Sequence, residues 1–265
     1  MYNEVGKNIR DSNVRGKIYM KINKIRDLVL VDIDENKSMV IACDSCGGIG
    51  DKPQDALKVP PFITGKYTVR VGLLEVLCSG AEVVTVIDNV CAEMKPTGEE
   101  IIKGIKSELD LANIADIALS GSTEENFPCV STGLGITIIG ISEKSKLRVN
   151  NIKDDVLIYS IGIPKVGEEI SYEYDEDIFQ YDVLYYLREL KEVKEIVPVG
   201  SKGILYEAEE LAKNNGMEFI LEENLSIDIN RSCGPATVAI IALDKSIEEN
   251  IKVIKNSHKI GIIKK

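Results

Sequence analysis

Ala42-Cys43-Asp44-Ser45-Cys46-Gly47-Gly48-Ile49-Gly50 is the stretch on which the reading of this chain turns. A β-branched, apolar run ends in an aspartate, and glycines come directly after it. A carboxylate at the end of a strand can face a cleft, and neighbouring glycines let a ligand come close to the backbone. Cys43 and Cys46 also satisfy Cys-x-x-Cys. Redox use of such a pair needs a helix N-terminus beneath it, and here a Gly-Gly loop takes that place. A structural zinc site needs a second pair, and the other cysteines are singletons.

Upstream, Leu28–Ile33 and Ser38–Cys43 flank the polar turn Asp34-Glu35-Asn36-Lys37 and read as a β-hairpin. The polar start, Met1 to Arg26, reads as an irregular arm holding one short helix at most. It has the features of neither a signal nor a transit peptide. Downstream, Gly47–Pro61 is rich in Gly and Pro and reads as a long loop, a kind that is usually functional. Phe62–Ala81 then reads as a helix ended by Gly80, and Glu82–Val90 as a strand. Thr97–Ala115 comes next as an amphipathic helix with Thr97 as N-cap. Ser120–Asn126 reads as a polar loop and Thr132–Gly140 as a glycine-interrupted strand.

The polar segment Ser142–Asp154 marks a domain boundary, giving domains over 1–145 and 146–265. Beyond it, strands are expected at Asp155–Ile161, Glu195–Val199, Met217–Leu221, Ala236–Leu243 and Ile260–Lys264. Helices are expected near Asp177–Glu192, Lys202–Asn214 and Lys245–Lys255. Alternating strands and helices place the chain in the α/β or α+β class with mixed sheets.

Composition narrows the function. The net charge is −11 and no basic run occurs, so the electrostatic footprint of a nucleic-acid binder is missing. An acidic enzyme still binds a nucleotide when metal ions bridge its carboxylates to phosphates. The single histidine, His258, close to the C-terminus, argues against Ser-His-Asp and Cys-His nucleophiles and His-built zinc sites. No apolar run is long enough to span a bilayer. A cytoplasmic protein with six reduced, mostly buried cysteines is the expectation.

Further candidate groups lie outside the opening stretch. Glu75 has only small or uncharged neighbours at helical spacing (Val71, Gly72, Cys78, Ser79), so it either meets a cation or points to solvent. Asp27 precedes the first hairpin strand. Ser120-Gly121-Ser122-Thr123 offers N–H groups and hydroxyls to phosphate oxygens. Val199-Gly200-Ser201-Lys202-Gly203 leads from a strand into a helix, which suits either an anion or an ordinary N-cap. No P-loop and no Rossmann fingerprint is present.

The order and spacing of these features resemble the superfamily of aminoimidazole ribonucleotide synthetase, thiamine-monophosphate kinase and selenophosphate synthetase. Arg26-Asp27-Leu28-Val29 stands where kinase members carry an Asp before the first hairpin strand, and Asp44 stands where the next strand ends in Asp. Gly65, Glu75 and Gly80 match a Gly-carboxylate-Gly helix, with Glu in place of Asp. Ser120–Thr123 resembles a Gly-Gly-Asp/Glu-Thr loop, Thr132–Gly135 a Thr-Gly-Leu-Gly strand, and Lys153–Leu157 the family's domain junction. Two positions depart: Ser122 replaces a carboxylate that helps hold Mg²⁺, and Ser201-Lys202-Gly203 lacks the Asp-Gly pair of thiamine-monophosphate kinase. Within the superfamily, Ala42–Gly50, Ser120–Glu124 and Ser232–Ala236 look most like the α-ribazole kinases of cobalamin salvage.

The resemblance implies an N-terminal mixed sheet that pairs with a second subunit into a shared barrel, capped by a C-terminal α/β sandwich domain. It implies ATP and Mg²⁺ as cofactors, with Asp27, Asp44 and Glu75 holding the metal. Gly47, Gly48, Gly121, Ser122 and Thr123 would cradle the phosphates. Ser201, Gly203, Ser232 and Gly234 would face a small-molecule acceptor, with the 5′-hydroxyl of α-ribazole the leading candidate. Another ATP-dependent reaction of the superfamily and a non-catalytic nucleotide-binding dimer are the alternatives.

Overall fold

A computed structural model describes residues 21–265 of the protein. The arm expected over Met1–Arg26 lies outside them as far as residue 20, and its last residues form a strand, not a helix. This strand, β1 (Ile22–Ile25), joins β2 (Leu28–Asp32) through the two-residue turn Arg26-Asp27. Arg26 takes φ +52°, a conformation uncommon outside glycine and asparagine. The expected hairpin partner, β3 (Lys37–Gly47), runs past Asp44, which therefore sits within a strand and not at its end.

The expected long loop contains a short parallel pair, β4 (Ile49–Gly50) and β5 (Leu57–Lys58). Helix α1 (Pro61–Cys78) starts with proline at its first position, where the missing N–H costs nothing, and closes on Gly80 at φ +87°. Strand β6 (Glu82–Val90) comes next, as expected. A wide helical turn, Met94–Gly98, leads into α2 (Glu99–Leu111), and Gly98 occupies the N-cap. Thr97 does not cap α2; its hydroxyl donates to the Glu93 carboxylate. Ala118–Thr123 forms a strand, β7, where a polar loop was expected, and β8 (Gly133–Glu143) completes the first sheet.

That sheet has the order β1-β2-β3-β8-β6-β7. Its strands are antiparallel except for the parallel β6–β7 pair. Period-two alternation gives it two faces. Val40 and Ala42 of β3 and Leu134, Ile136 and Ile138 of β8 are buried, and they share a core with α1 and α2. The two helices pack closely because glycine stands at their crossing. A Cβ at Gly65 would lie 2.1 Å from the Ile101 carbonyl oxygen, and one at Gly104 would lie 1.9 Å from that of Phe62. On the opposite face, the cross-strand rows Val29–Ile41–Ile139 and Val31–Met39–Ile141 are only half-buried.

The remaining elements are β9 (Val156–Ile161), α3 (Tyr181–Glu189), β10 (Val193–Pro198), α4 (Gly203–Asn214), β11 (Glu218–Leu221), β12 (Ala239–Leu243), α5 (Glu248–Lys252) and β13 (Ser257–Lys264). They build a second sheet of order β10-β12-β9-β13-β11, antiparallel throughout. All six residues of the central strand β9 are buried, which fits its continuous apolar run. Leu157, Tyr159 and Ile161 join the core of the first sheet, whereas Ile158 packs with Ile204, Ala208 and Leu211 of α4.

Buried polar groups also tie the two sheets together. Arg70 of α1 bonds Glu108 of α2 at 3.2 Å and donates to the carbonyls of Phe179 and Ala236. Tyr181 donates to the same Glu108 carboxylate at 2.8 Å. No helix among the described residues is long and apolar enough to cross a membrane. The cysteines are free among these residues, but Cys43 and Cys91 are exposed and only Cys78 and Cys233 are buried, so most are not core thiols.

Candidate functional site

A cleft of about 510 Å³ opens between α1 and the first sheet on one side and the second half of the chain on the other. That volume lies within the range of small-ligand sites. Asp44 enters it from β3 because even-numbered residues of that strand point toward α1. Glu75 enters from the C-terminal part of α1, and Gly47 from the end of β3. Gly200, Ser201 and Gly234 bound the cleft from the other half.

Four carboxylates influence one another here. Burial raises Asp44 above the ordinary carboxylate range, and the charge of Asp27 adds to the effect. Burial pushes Glu75 up to about 8; Arg26 opposes this, while Asp27, Glu207 and Asp44 reinforce it. Glu207, on α4, is pushed up to about 7 by burial and by Asp27, against the pull of Arg26 and Lys202. Glu207 escaped the sequence reading, although it left a trace. It is an acid on the buried stripe that runs through Ile204 and Leu211 at helical spacing.

The Glu75 carboxylate makes no hydrogen bond and no ion pair among the described residues, in keeping with its uncharged sequence neighbours. Arg26 is instead held by Glu195 at 3.3 Å. These are all-oxygen donors, the kind that Mg²⁺ takes. Among the described residues, however, no three His, Cys, Asp or Glu side chains converge as a ready-made metal cage. Mg²⁺ commonly uses one or two carboxylates together with water and substrate phosphates. Mutually repelling, unpaired carboxylates fit that partial role, since a cation would relieve their repulsion.

The expected phosphate cradle is only partly gathered. Gly47 lines the cleft. The Gly48 N–H is already given to the Thr132 carbonyl at 2.9 Å, and its own carbonyl accepts from Ala56 at 2.8 Å. Asp55, unnoticed in the sequence, fixes this segment. It accepts from Lys52 N, Ser131 Oγ, Thr132 N and Thr132 Oγ1 at 2.7–2.9 Å. Gly121, Ser122 and Thr123 lie on β7, outside the cleft lining. A Cβ at Gly121 would fall 2.4 Å from the Asp88 carboxylate, so packing alone requires glycine there. Ser122 is exposed, and Thr123 donates to Glu125 at 2.8 Å. Glu124 and Glu125, the acids nearest to Ser122, accept from backbone N–H groups of Asn126, Phe127 and Met94.

On the acceptor side, Ser201 and Gly234 reach the cleft, whereas Gly203 and Ser232 stand behind it. Gly203 opens α4 at φ +84°, packed against the carbonyls of Ile229 and Arg231. Ser232 Oγ accepts from Gly234 N at 3.4 Å and so braces the loop that reaches the cleft. Cys43 and Cys46, three residues apart on β3, point to opposite faces of the sheet, which removes any joint redox or metal role.

Residues 26–142 match the family described as AIR synthase related protein, N-terminal domain. No curated protein matches the sequence. Among solved structures, the fold is similar to thiamine monophosphate kinase from Aquifex aeolicus, with TM-score 0.63 and 12% identity over 92% of this chain and 90% of that one. AaThiL complexed with AMPPCP and TMP gives TM-score 0.61 and 12% identity over 90% of this chain and 84% of that one. PurL from T. maritima complexed with AMPPCP gives TM-score 0.57 and 11% identity over 90% of this chain but only 37% of that longer one. At these identities the likeness is one of fold. Residues 26–142 thus match the AIR synthase related N-terminal domain, and the chain as a whole shares the fold of these structures.

Proposed function

We propose that the protein is a cytoplasmic, ATP- and Mg²⁺-dependent kinase that transfers a phosphoryl group to a hydroxyl of a small ribosyl or phosphoribosyl compound, with α-ribazole as the first candidate. The observation that carries this reading is the pairing of Asp44 and Glu75 at one end of a ligand-sized cleft whose other wall belongs to the second half of the chain. Similar folds bind AMPPCP, an ATP analogue, in AaThiL and in T. maritima PurL.

In this reading Asp27, Asp44 and Glu75 hold Mg²⁺, which supplies charge neutralisation at the phosphates. Gly47 lets those phosphates approach the β3 backbone, while Gly48 shapes the loop; Gly121 to Thr123 of β7 would meet the phosphates only where these extend past the cleft lining. Ser201 and Gly234 orient the acceptor, supported by Gly203 and Ser232. Phosphoryl transfer asks little covalent chemistry of a protein, so positioning and electrostatics dominate. Residues 1–145 and 146–265 act as two domains closing on the cleft.

The same reading includes a homodimer. The rows Val29–Ile41–Ile139 and Val31–Met39–Ile141 leave an apolar sheet face half-covered, and a second copy would bury it in a shared barrel. Light scattering behind size exclusion, giving a mass of twice 29.2 kDa, is the expected result.

The direct test is ADP formation from ATP and Mg²⁺ with α-ribazole, thiamine monophosphate or formylglycinamidine ribonucleotide as acceptor. Turnover of α-ribazole, lost in Asp44→Asn, supports the kinase; ADP formation with thiamine monophosphate or formylglycinamidine ribonucleotide but not with α-ribazole assigns another ATP-dependent reaction of the superfamily instead. Tight ATP binding by calorimetry with no turnover on any acceptor replaces it with a non-catalytic nucleotide-binding dimer.

A further inference from the structure

A second, smaller recess of about 170 Å³ lies between α1, α2 and the segment 174–182 of the other half. Tyr67 lines both this recess and the main cleft. Sites for drug-sized ligands start at about 300 Å³, so the recess suits a small ion. Three charged side chains that line it are almost wholly buried: Lys66 and Arg70 of α1, and Glu108 of α2.

Their bonding is incomplete. An ammonium has three N–H groups to give. Lys66 Nζ gives two, to the carbonyls of Tyr172 and Glu173 at 3.2 and 3.0 Å, and no carboxylate pairs with it among the described residues. The Tyr67 ring, centred 5.5 Å from Nζ, is a weaker substitute for a counter-ion. Burial pushes the Lys66 ammonium below its ordinary range; the charge of Glu108 opposes this and that of Arg70 adds to it. Glu108 Oε1 accepts from Arg70 and Tyr181, but Oε2 takes no hydrogen bond among the described residues. Arg70 Nε has no partner among them either. The other acids of the recess are settled, Asp175 by Lys165 at 2.8 and 3.0 Å and Asp182 by exposure to water.

A buried ammonium without a counter-ion and a buried carboxylate oxygen without a donor are both costly. One small ligand relieves both if it brings negative charge to Lys66 and an O–H to Glu108. Phosphate at neutral pH does so, because it is an anion that still carries a proton. Sulfate carries none, so one of its oxygens would face the acceptor-only Glu108 carboxylate. We infer that this recess is a second binding site, for a protonated oxyanion of the size of inorganic phosphate, held by Lys66 and selected by Glu108. Tyr172 lines the main cleft and its carbonyl is held by Lys66, so an occupant here also braces one wall of that cleft. The site stands on these contacts whether or not the chain is a kinase.

The test is calorimetric titration of the full chain with potassium phosphate and with potassium sulfate at matched ionic strength. Mg²⁺ is left out, so that the carboxylates of the main cleft repel an anion and do not bridge to it. Phosphate should bind at a single site per chain, and sulfate should bind more weakly by about tenfold or more. Lys66→Met should weaken phosphate by roughly tenfold or more. Glu108→Gln, whose amide can donate, should bring sulfate close to phosphate; if that variant does not fold, the wild-type preference and Lys66→Met still decide. Ribose 5-phosphate separates the two sources of such an anion: loss of binding assigns the free ion, and equal binding keeps the site for the phosphoryl end of a larger metabolite. Absence of phosphate binding, sulfate binding as tight as phosphate in the wild type, or unchanged phosphate binding in Lys66→Met would each overturn the inference.

Discussion

Arg26, at the tip of the first hairpin, reaches Glu195 in the second sheet at 3.3 Å, with the two side chains 7% and 0% exposed. Glu195 also accepts from Asn151 N at 2.9 Å and from Asn215 Nδ2 at 2.8 Å. The tip that carries Asp27 is therefore anchored to the other half of the molecule. Removing one partner of a buried ion pair leaves an uncompensated charge and costs about 3–5 kcal/mol. Glu195→Ala should lower stability by that order in urea titrations, and Arg26→Met with Glu195→Leu should recover much of it. Equal loss in the single and the double variant would show that the pair does not couple the two halves.

Glu75 sets a pH dependence of known sign. Its folded pKa, about 8, lies above the ordinary value of 4.5, so the folded state keeps a proton that the unfolded chain releases between those values. Its stabilising contribution is complete below pH 4.5 and is lost as pH rises through 8. Without Mg²⁺, urea midpoints of the wild type should fall between about pH 5 and 9, and Glu75→Gln should flatten that fall. An unchanged slope in the variant would assign the effect to other groups.

Gly121 separates a packing role from a phosphate role. Alanine keeps the backbone N–H but brings a methyl to 2.4 Å from both the carboxylate and the carbonyl oxygen of Asp88. Gly121→Ala should cost about 1–3 kcal/mol through overpacking. Asp88→Ala in the same chain should return part of it, because only the side-chain clash is relieved. Strict additivity of the two substitutions would mean that they do not touch.

The thiols report on both sheet faces. Cys91 is exposed and should react quickly with a thiol reagent in the native protein, while Cys78 and Cys233 should react only on unfolding. Cys43, exposed in the single chain on the same face as Ile41, should be protected in a dimer and react on dilution. Fast labelling of Cys43 at every concentration would place the dimer contact elsewhere. Replacing Cys43 and Cys46 by serine should leave turnover intact.

Local pattern made much of the fold legible. Glu82–Val90 is legible to the residue, because Gly80 closes the helix before it and the β-branched run stops at Val90. The hairpin at Leu28–Cys43, the long first helix and the buried central strand of the second sheet came from period and turn chemistry in the same way. Ser120–Thr123 did not, since its glycine and hydroxyl residues carry a loop's composition. It becomes a strand only because β6 offers a parallel edge from Thr85 to Val90. Thr97 was misplaced as a cap because a Glu93 carboxylate, invisible to propensity, takes its hydroxyl.

By itself, then, the sequence determined most of the elements and the acidic balance, which depend on composition and near neighbours, and the order of its motifs singled out Asp27, Asp44 and Glu75. Only tertiary structure decided that Asp44 and Glu75 share a cleft with Ser201 and Gly234, that Glu207 and Arg26 act on the same charges, and that Cys43 and Cys46 face apart. Electrostatic coupling and burial depend on distance in space, and residues far apart along the chain come together only when both sheets enclose one continuous core.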